Sequence, residues 1–205
     1  MSHGRLLDPS DPERENALLH AIIEATASGP GIERVAAAVA RLITDTTSTD
    51  VCFVHVLDDG GTLAEPGRCD TAVRPAHRQV RLPVGSGVTG WVAGHHEPVV
   101  ITEGKEADPR YVRIPALRGD DFVSMASVPM ATGQAGLVGV LNVHTAERRE
   151  FSERDVRLLL AIGRLVAGAL HQARLHRRLT NRERAHERFA EQVIAAQEAE
   201  RRRLA

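Results

Sequence analysis

The sequence predicts an α+β fold in which two helices, an antiparallel sheet and a closing helix form one domain. The chain has 205 residues, of which 42% are hydrophobic, enough for one full core and a helical extension. Apolar residues recur at helical spacing up to about residue 47, whereas between residues 50 and 144 they mostly alternate. From Ser152 the helical pattern returns and continues past Leu175, with no Gly or Pro after Gly168.

The first predicted helix begins at Asp11-Pro12-Glu13, where an N-cap candidate precedes a proline and an acidic residue. It runs to about Ala27, and the breaker sequence Ser28-Gly29-Pro30-Gly31 ends it. Its apolar face is expected to consist of Leu18, Leu19, Ile22 and Ile23. A second helix is predicted over residues 32–47. Its apolar face comprises Val35, Val39, Leu42 and Ile43.

The sheet is predicted to start with a strand over residues 50–57, which the turn Asp58-Asp59-Gly60-Gly61 closes. Further strands are expected at residues 79–83, 98–102, 122–129 and 137–144. The long last helix opens at Ser152-Glu153-Arg154-Asp155, which is similar to a capping box with Asp in place of Glu.

Composition argues against several classes of function. The formal net charge is −1, so no nucleic-acid partner is expected. The longest apolar runs, residues 35–39 and 138–143, are too short to span a bilayer, and no membrane contact is expected. Residues 1–16 are polar and charged, unlike a signal peptide. Cys52 and Cys69 lack CxxC spacing, which indicates reduced thiols and a cytoplasmic location.

The cations are unevenly distributed along the chain. From His171 onward there are nine Arg and five Glu, so a basic tail follows an acidic body. Lys105 is the only lysine. We attribute the preference for arginine to the codon usage of a GC-rich genome, because it is not confined to one site.

Five segments in chain order resemble elements of GAF domains. Residues 85–101, GSGVTGWVAGHHEPVVI, look like the G-x-x-G-x-V-A-x-x-x-x-P-V-x-I element, and Asp108-Pro109-Arg110-Tyr111 resembles the D-P-R-Y that often follows. Residues 124–130, SMASVPM, are similar to S-x-L-x-V-P-L. Residues 136–142 and 151–155 resemble the G-x-x-G-V-L strand and the F-x-x-x-D helix start. No single segment is specific, but their order over residues 32–170 identifies a GAF domain.

The glycines and prolines of these segments also have a physical interpretation. Gly87 and Gly90 are expected to permit close backbone approach at a helix start. Pro98 and Pro129 are expected to mark strand ends.

The resemblance implies a central antiparallel sheet with helices on one face and a ligand pocket on the other. The family binds cyclic nucleotides, haem, bilins, small anions or nothing, so the fold does not name a ligand. Cyclic nucleotides are disfavoured: Phe151 and Asp155 match that signature, but His144-Thr145 replaces its Asn-Lys pair and Val156 its Glu.

Other cofactors are disfavoured on similar grounds. Bilin-binding domains need Cys beside His, whereas Asp70 follows Cys69 and Cys52 lies within a predicted strand. Haem-binding domains place a His shortly before the V-P strand, and residues 111–122 contain none. No cofactor is predicted. No metal is predicted either, because the His95-His96 pair has no Cys or acidic partner at ligand spacing.

Alternation along the strands predicts which side chains face the pocket. The pocket side of the strand over residues 137–144 should carry Val138, Val140, Asn142 and His144, and the helix side Leu137, Gly139, Leu141 and Val143. The candidate ligand-binding residues are Phe53, His55, Trp91, Tyr111, Met125, Ser127, Asn142 and His144. A loop or water is the alternative partner for buried Asn142, and simple packing the alternative role of His55 and Trp91. A small ligand, neutral or weakly anionic, is expected, because no Arg falls at an inward position. No catalytic residue is predicted.

The tail, residues 173–205, is predicted to be a signalling and dimerisation helix. Alternating steps of four and three, as heptads require, join Leu175, Leu179, Arg182, His186, Phe189, Val193, Ala196 and Glu200. We therefore expect a homodimer. The alternative is a single surface helix packed back on the domain.

Residues 189–205 resemble the entry to the phosphoacceptor helix of one subfamily of sensor histidine kinases, in which the run continues R-E-L-H-D. The chain stops about four residues before the expected His. The resemblance implies a flexible N-terminus over residues 1–10, a GAF sensor over 11–172, and a helix leading into a kinase core that acts on a response regulator. Two alternatives stay open: a GAF sensor of a transcription or RNA-binding regulator, and a small-molecule GAF enzyme. The enzyme alternative is disfavoured, because the sequence shows no paired carboxylates, no Cys/His pair and no group of metal ligands.

Overall fold

The computed structural model describes residues 12–27, 31–64, 80–114 and 119–204. Its helices are α1 (Pro12–Ala27), α2 (Ile32–Thr46), α3 (Gly87–His95) and α4 (Glu153–Leu204). Its strands are β1 (Val51–Leu57), β2 (Thr62–Ala64), β3 (Arg81–Pro83), β4 (Val99–Ile101), β5 (Ser124–Thr132) and β6 (Gly136–Thr145). Short 3₁₀ turns cover Lys105–Ala107 and Gly119–Asp121. The predicted N-cap Asp11, the flexible segment 1–10 and the breaker residues 28–30 lie outside the described residues, as does Gln79 at the predicted start of β3.

The six strands form one sheet in the order β3-β2-β1-β6-β5-β4, and all neighbouring strands are antiparallel. The predicted α+β class and antiparallel sheet are confirmed. Strand β2 was not predicted. It has three residues, too few for an alternating pattern, and the Asp58 carboxylate fixes its start by accepting hydrogen bonds from the backbone of Gly60 and Thr62.

Helices α1, α2 and α4 cover one face of the sheet, as expected. The core on this face joins apolar residues of the three helices to Cys52, Val54 and Val56 of β1 and to alternate residues of β5 and β6. Within α1, Leu18 and Ile22 are buried, whereas the predicted core residue Ile23 is 46% exposed. Ile23 follows Ile22 by one position, about 100° around the helix, and this rotation turns its side chain away from the sheet.

The start of α4 is fixed by the predicted capping box. The Ser152 hydroxyl accepts a hydrogen bond from the Asp155 backbone N–H at 3.2 Å, and the Asp155 carboxylate accepts one from the Ser152 backbone N–H at 2.8 Å. The helix then continues for 52 residues, a length of about 78 Å at 1.5 Å per residue. Among the side chains of α4 that the structure describes, the last buried one is Ala173.

The apolar first half of α4 would be long enough to cross a membrane. Within residues 153–190 an 18-residue window has a mean hydropathy of 1.3, a feature that a search for uninterrupted apolar runs overlooks. Yet 44% of this window is buried inside the domain. Ile162, Val166 and Leu170 are completely buried on the sheet, so the apolar composition is explained by the core.

A β-bulge changes the predicted facing of β6. Gly139 pairs with Met130 and Leu137 with Ala131, so Val138 is an extra residue without a partner on β5. Val138 therefore joins the helix-side core and Leu137 packs on the opposite face, the reverse of the prediction. Beyond the bulge the prediction holds: Val140 lies on the pocket side, Leu141 and Val143 on the helix side.

Pro129 lies within β5, three residues before its end, and does not mark the end of the strand as expected. Strand β4 pairs with β5 only from Met125 to Ser127. Beyond Ser127 one side of β5 has no strand partner, so a residue without a backbone N–H is tolerated there. Pro98, by contrast, directly precedes β4.

Candidate functional site

A small cavity lies on the face of the sheet opposite α1, α2 and α4. Strands β1, β5 and β6 form its floor, the first turn of α3 forms one wall, and described residues within 111–114 and 119–122 form another. Its volume is about 70 Å³, enough for several water molecules or a ligand of a few heavy atoms. The lining residues are Phe53, His55, Leu82, Ser86, Gly87, Val88, Thr89, Tyr111, Val112, Ile114, Gly119, Phe122, Met125, Asn142 and His144.

Six of the eight residues predicted to bind a ligand line this cavity: Phe53, His55, Tyr111, Met125, Asn142 and His144. The other two are placed elsewhere. Ser127 is completely buried beneath Asn142. Trp91 stacks on His95 with ring centroids 4.0 Å apart and contacts the Arg110 guanidinium, so it packs outside the cavity wall. The ligand-binding role of all eight residues stays a prediction.

The start of α3, which forms part of the wall, depends on two glycines. A Cβ atom at Gly90 would lie 2.5 Å from the Pro83 carbonyl oxygen, which confirms the expected close approach. At Gly87 the requirement is different. Its φ is +69°, in the left-handed region that favours glycine, and a Cβ there would meet only the Val112 side chain at ordinary contact distance.

Asn142 is the centre of a buried polar network on the cavity floor. Its Oδ1 accepts a hydrogen bond from the Ser127 hydroxyl at 2.5 Å. Its Nδ2 donates to the Thr89 hydroxyl on α3 at 2.9 Å and lies 3.2 Å from His55 Nδ1. The network therefore connects three strands to the first turn of α3. It supplies the partners that a buried mid-strand Asn requires.

The network also sets the tautomer of His55. The Asn142 amide nitrogen can only donate, so Nδ1 of His55 accepts and the ring proton of the neutral imidazole sits on Nε2. His55 is 1% exposed, and burial lowers its pKa to about 4, so the ring is neutral at pH 7. Within the part of the chain that the structure describes, Nε2 has no hydrogen-bond partner.

The hydroxyl of Tyr111 is the second polar atom of the cavity that has no hydrogen-bond partner among the described residues. It lies against Gly119, where an added Cβ would sit 2.9 Å away. Burial, followed by the charges of Asp120 and Glu106, raises the Tyr111 pKa, so the phenol keeps its proton and can donate.

His144 lines the cavity between two aromatic rings. Its ring centroid lies 5.5 Å from that of Phe53 and 5.5 Å from that of Phe122. Burial, then the positive charge of Lys105, lowers its pKa to about 3. The cavity therefore presents neutral imidazoles at pH 7.

Lys105, the chain's single lysine, lies directly behind the cavity wall. Its ammonium donates hydrogen bonds to the carbonyl oxygens of Gly119 and Phe122, two lining residues, and lies 5.7 Å from the centroid of the Tyr111 ring. It is 3% exposed. Burial lowers its pKa, while Glu106, Asp120 and Asp121 oppose that shift. No site was predicted at Lys105 from the sequence, where its only distinguishing feature is that it is the single lysine among 26 Lys and Arg residues.

A second surface lies along the helices. Apolar side chains of α1 and α4 line a groove that continues onto the free part of α4, and we call it the α1–α4 groove; it includes Ile23, Leu165, Ala169, Leu175 and Leu179. Leu179 is 59% and Phe189 66% exposed, and every residue from 181 to 190 is exposed. Arg178 makes a 2.7 Å ion pair with Asp59 near the base of the free helix. The structure describes the backbone of Val193, Ala196 and Glu200 within α4 but not their side chains.

The described residues contain no cluster of His, Cys, Asp or Glu able to hold a metal ion. Cys52 is buried in the helix-side core, on the face of β1 opposite the cavity. Cys69 and Asp70 lie outside the described residues. The described part of the chain thus brings no thiol into the cavity.

Comparison with known proteins agrees with this architecture. The GAF domain of a phosphoenolpyruvate-protein phosphotransferase from Acinetobacter is 20% identical, with a TM-score of 0.62 over 78% of this chain and 95% of that one. Free methionine-R-sulfoxide reductase from Neisseria meningitidis, solved with its substrate, is 18% identical, with a TM-score of 0.65 over 85% of this chain and 99% of that one. The A. aeolicus nlh2 GAF domain in an inactive state is 17% identical, with a TM-score of 0.60 over 77% and 95%. At these identities the likeness concerns the fold.

The comparison with curated proteins gives no match. The sequence profile of the GAF domain, however, matches residues 31–171, which is more than half of the chain. This range begins at α2 and ends near the last buried turn of α4. The chain therefore belongs to the GAF domain family, whose members are sensory and regulatory modules.

Proposed function

We propose that this chain is the sensory module of a cytoplasmic two-component histidine kinase, and that a small molecule in the cavity controls the kinase through a dimeric α4. The observation that carries the proposal is the continuity of α4. One helix begins at a capping box beside the sheet and reaches Leu204, through the residues that resemble the entry to a phosphoacceptor helix. A change at the sheet therefore has a direct mechanical path to that segment.

The cavity supplies the input of this proposed mechanism. The network of Asn142 joins β6 to α3, and α4 packs against the helix side of both β5 and β6. Gly163 of α4 approaches β5 so closely that a Cβ there would lie 3.0 Å from the Pro129 carbonyl oxygen. Ligand binding that shifts β5 or β6 would act on α4 across this contact.

The α1–α4 groove supports the dimer. A helix that leaves the domain with Leu175, Leu179 and Phe189 exposed gains stability by pairing its apolar side with a second copy. No cofactor is proposed, and the proposed partners are a second copy of the chain and, through the kinase core, a response regulator. An exposed helix from residue 181 to 190 does not favour packing back on the domain.

The test uses the full-length protein, incubated with ATP and analysed for phosphohistidine. We expect autophosphorylation whose rate changes in Val112→Trp, because residue 112 lines the cavity and its 48% exposure leaves room for a larger side chain. Val123→Trp is the matched control, since Val123 is 38% exposed and does not line the cavity. A full-length protein that binds DNA or RNA and forms no phosphohistidine would overturn the kinase proposal in favour of the regulator alternative. Equal rates in both variants would overturn the sensing role of the cavity.

A further inference from the structure

Two polar atoms of cavity-lining residues have no hydrogen-bond partner among the described residues, and both are hydrogen-bond donors. His55 presents Nε2–H, because its Nδ1 accepts from Asn142, and Tyr111 presents a protonated hydroxyl. A buried donor without a partner is unfavourable, because it has given up its hydrogen bonds to water. Two such atoms in one cavity of about 70 Å³ are explained if a ligand with acceptor oxygens satisfies both.

The charges around the cavity indicate the sign of that ligand. Within the described residues none of the lining side chains is acidic. The Lys105 ammonium lies behind the wall, with its two hydrogen bonds directed to the carbonyl oxygens of lining residues. The carboxylates of Glu106, Asp120 and Asp121 act on that ammonium, but all three residues are exposed, so solvent screens their charges more than that of the buried lysine. The first turn of α3, the positive end of its helix dipole, lines the opposite side. Burying an anion is costly unless a positive charge lies nearby. Lys105 and the start of α3 supply positive charge here, so the cavity favours an anion.

The remaining surface indicates the body of the ligand. Phe53, Val88, Ile114, Phe122 and Met125 give the cavity mostly apolar walls. A few non-hydrogen atoms fill the volume, so a polyanion or a nucleotide does not fit. An acid with one carboxylate and a short aliphatic part matches both the donors and the walls.

We propose that the cavity binds a small aliphatic monocarboxylate, whose oxygens accept hydrogen bonds from His55 Nε2 and the Tyr111 hydroxyl while Lys105 supplies the countercharge. This inference rests on the proposal that the cavity is the sensing site, and it adds the chemical class of the ligand. Tyr111 and His55 are then the residues that select an anion over a neutral molecule of the same shape.

The experiment measures calorimetric affinity of the purified chain for matched pairs: acetate against acetamide, and butyrate against butyramide. We expect the carboxylate of each pair to bind at least about tenfold more tightly than the amide. Tyr111→Phe removes only a hydroxyl that has no partner within the described part of the chain, so the fold should be retained while carboxylate affinity falls roughly ten- to a hundredfold. Trp91→Phe is the control, because Trp91 packs outside the cavity, and it should leave the affinity unchanged.

A second readout follows the side chain itself. The Nε2–H signal of His55 in nitrogen-15 NMR should shift on addition of butyrate and stay unchanged with butyramide. Equal affinity for amide and carboxylate, no binding of either, or carboxylate affinity unaffected by Tyr111→Phe would overturn the ligand class. None of these outcomes touches the kinase proposal, which the phosphohistidine assay on the full-length protein tests separately.

Discussion

Asn142 Nδ2 lies 3.2 Å from Nδ1 of His55, and both side chains are buried on the cavity floor. Since the amide can only donate, this contact leaves the second imidazole nitrogen, Nε2, protonated. Asn142 thus forms hydrogen bonds with the hydroxyl groups of Ser127 and Thr89, and it also determines which nitrogen of His55 can donate to a ligand. Four consequences of the structure can be measured.

Asn142→Ala should lower the free energy of unfolding by about 3 kcal/mol or more. The substitution leaves three buried groups of neighbouring residues without their partner, and each costs roughly 1–3 kcal/mol. Urea denaturation gives the value. The same substitution at Asn181, which is exposed on α4, is the control and should change stability little. A loss below about 1 kcal/mol at position 142 would show that the network contributes little.

Stability should fall as the pH is lowered from about 6.5 towards 4. The pKa of His55 is about 4 and that of His144 about 3 in the folded protein, both below the ordinary value of 6.5. Between these values the unfolded chain binds protons that the folded chain does not, so acid favours unfolding. At pH 5 each histidine accounts for a loss of about 2 kcal/mol relative to pH 7.

Urea denaturation at several pH values, with an NMR titration of the two rings, checks this dependence. Replacing exposed His20 by Gln should leave the slope unchanged. A stability that stays constant from pH 7 to pH 5, or ring titration near pH 6.5, would contradict the buried neutral state.

Gly139→Ala should destabilise the fold severely. A Cβ at this position would lie 2.0 Å from the carbonyl oxygen of His55 and 2.7 Å from Met130 Cε, so the bulge of β6 would have to open. We expect a loss of several kcal/mol or an insoluble product. Gly133→Ala, in the β5–β6 turn, meets nothing within 4 Å and should be tolerated. Thermal unfolding of the two variants compares them directly, and similar melting temperatures would refute the steric explanation.

Leu179→Glu should dissociate the proposed dimer. The leucine is 59% exposed and lies on the predicted seam, where a glutamate would face its symmetry mate or have to stay hydrated. Asn181→Glu introduces the same charge two residues away, off the seam, and should leave the dimer intact. Sedimentation velocity distinguishes the species. A wild-type chain that is monomeric at high micromolar concentration would disprove pairing through α4.

Periodicity identified the helices and the longer strands because each carries enough residues for a pattern to show. Strand β2 has three residues and carries no such pattern. The inward side of β6 was predicted correctly from Val140 to His144, whereas Leu137 and Val138 were reversed. The reversal comes from one inserted residue, and nothing in the composition around Val138 signals a bulge.

Side-chain direction limited the prediction of the cavity in a similar way. The faces of the sheet on which His55 and Asn142 lie were predicted correctly, because side chains alternate between the two faces along a strand. Trp91 lies on a helix of nine residues that is buried on several sides, so its outward packing against His95 and Arg110 did not follow from spacing. Lys105 lies in an irregular segment, where neither period applies, and its burial depends on carbonyl groups fourteen and seventeen residues further along.

The burial of the single lysine has a practical consequence for chemistry on this protein. Amine-directed reagents find no accessible side-chain target in the folded domain, since Lys105 is the only lysine and is 3% exposed. Amine-reactive cross-linkers would therefore not link the two copies of a dimer through lysine side chains. Acylation of Lys105 would instead require the segment around Gly119 and Phe122 to move away. The rate of that acylation, followed by mass spectrometry, therefore measures how often this part of the cavity wall moves and exposes Lys105.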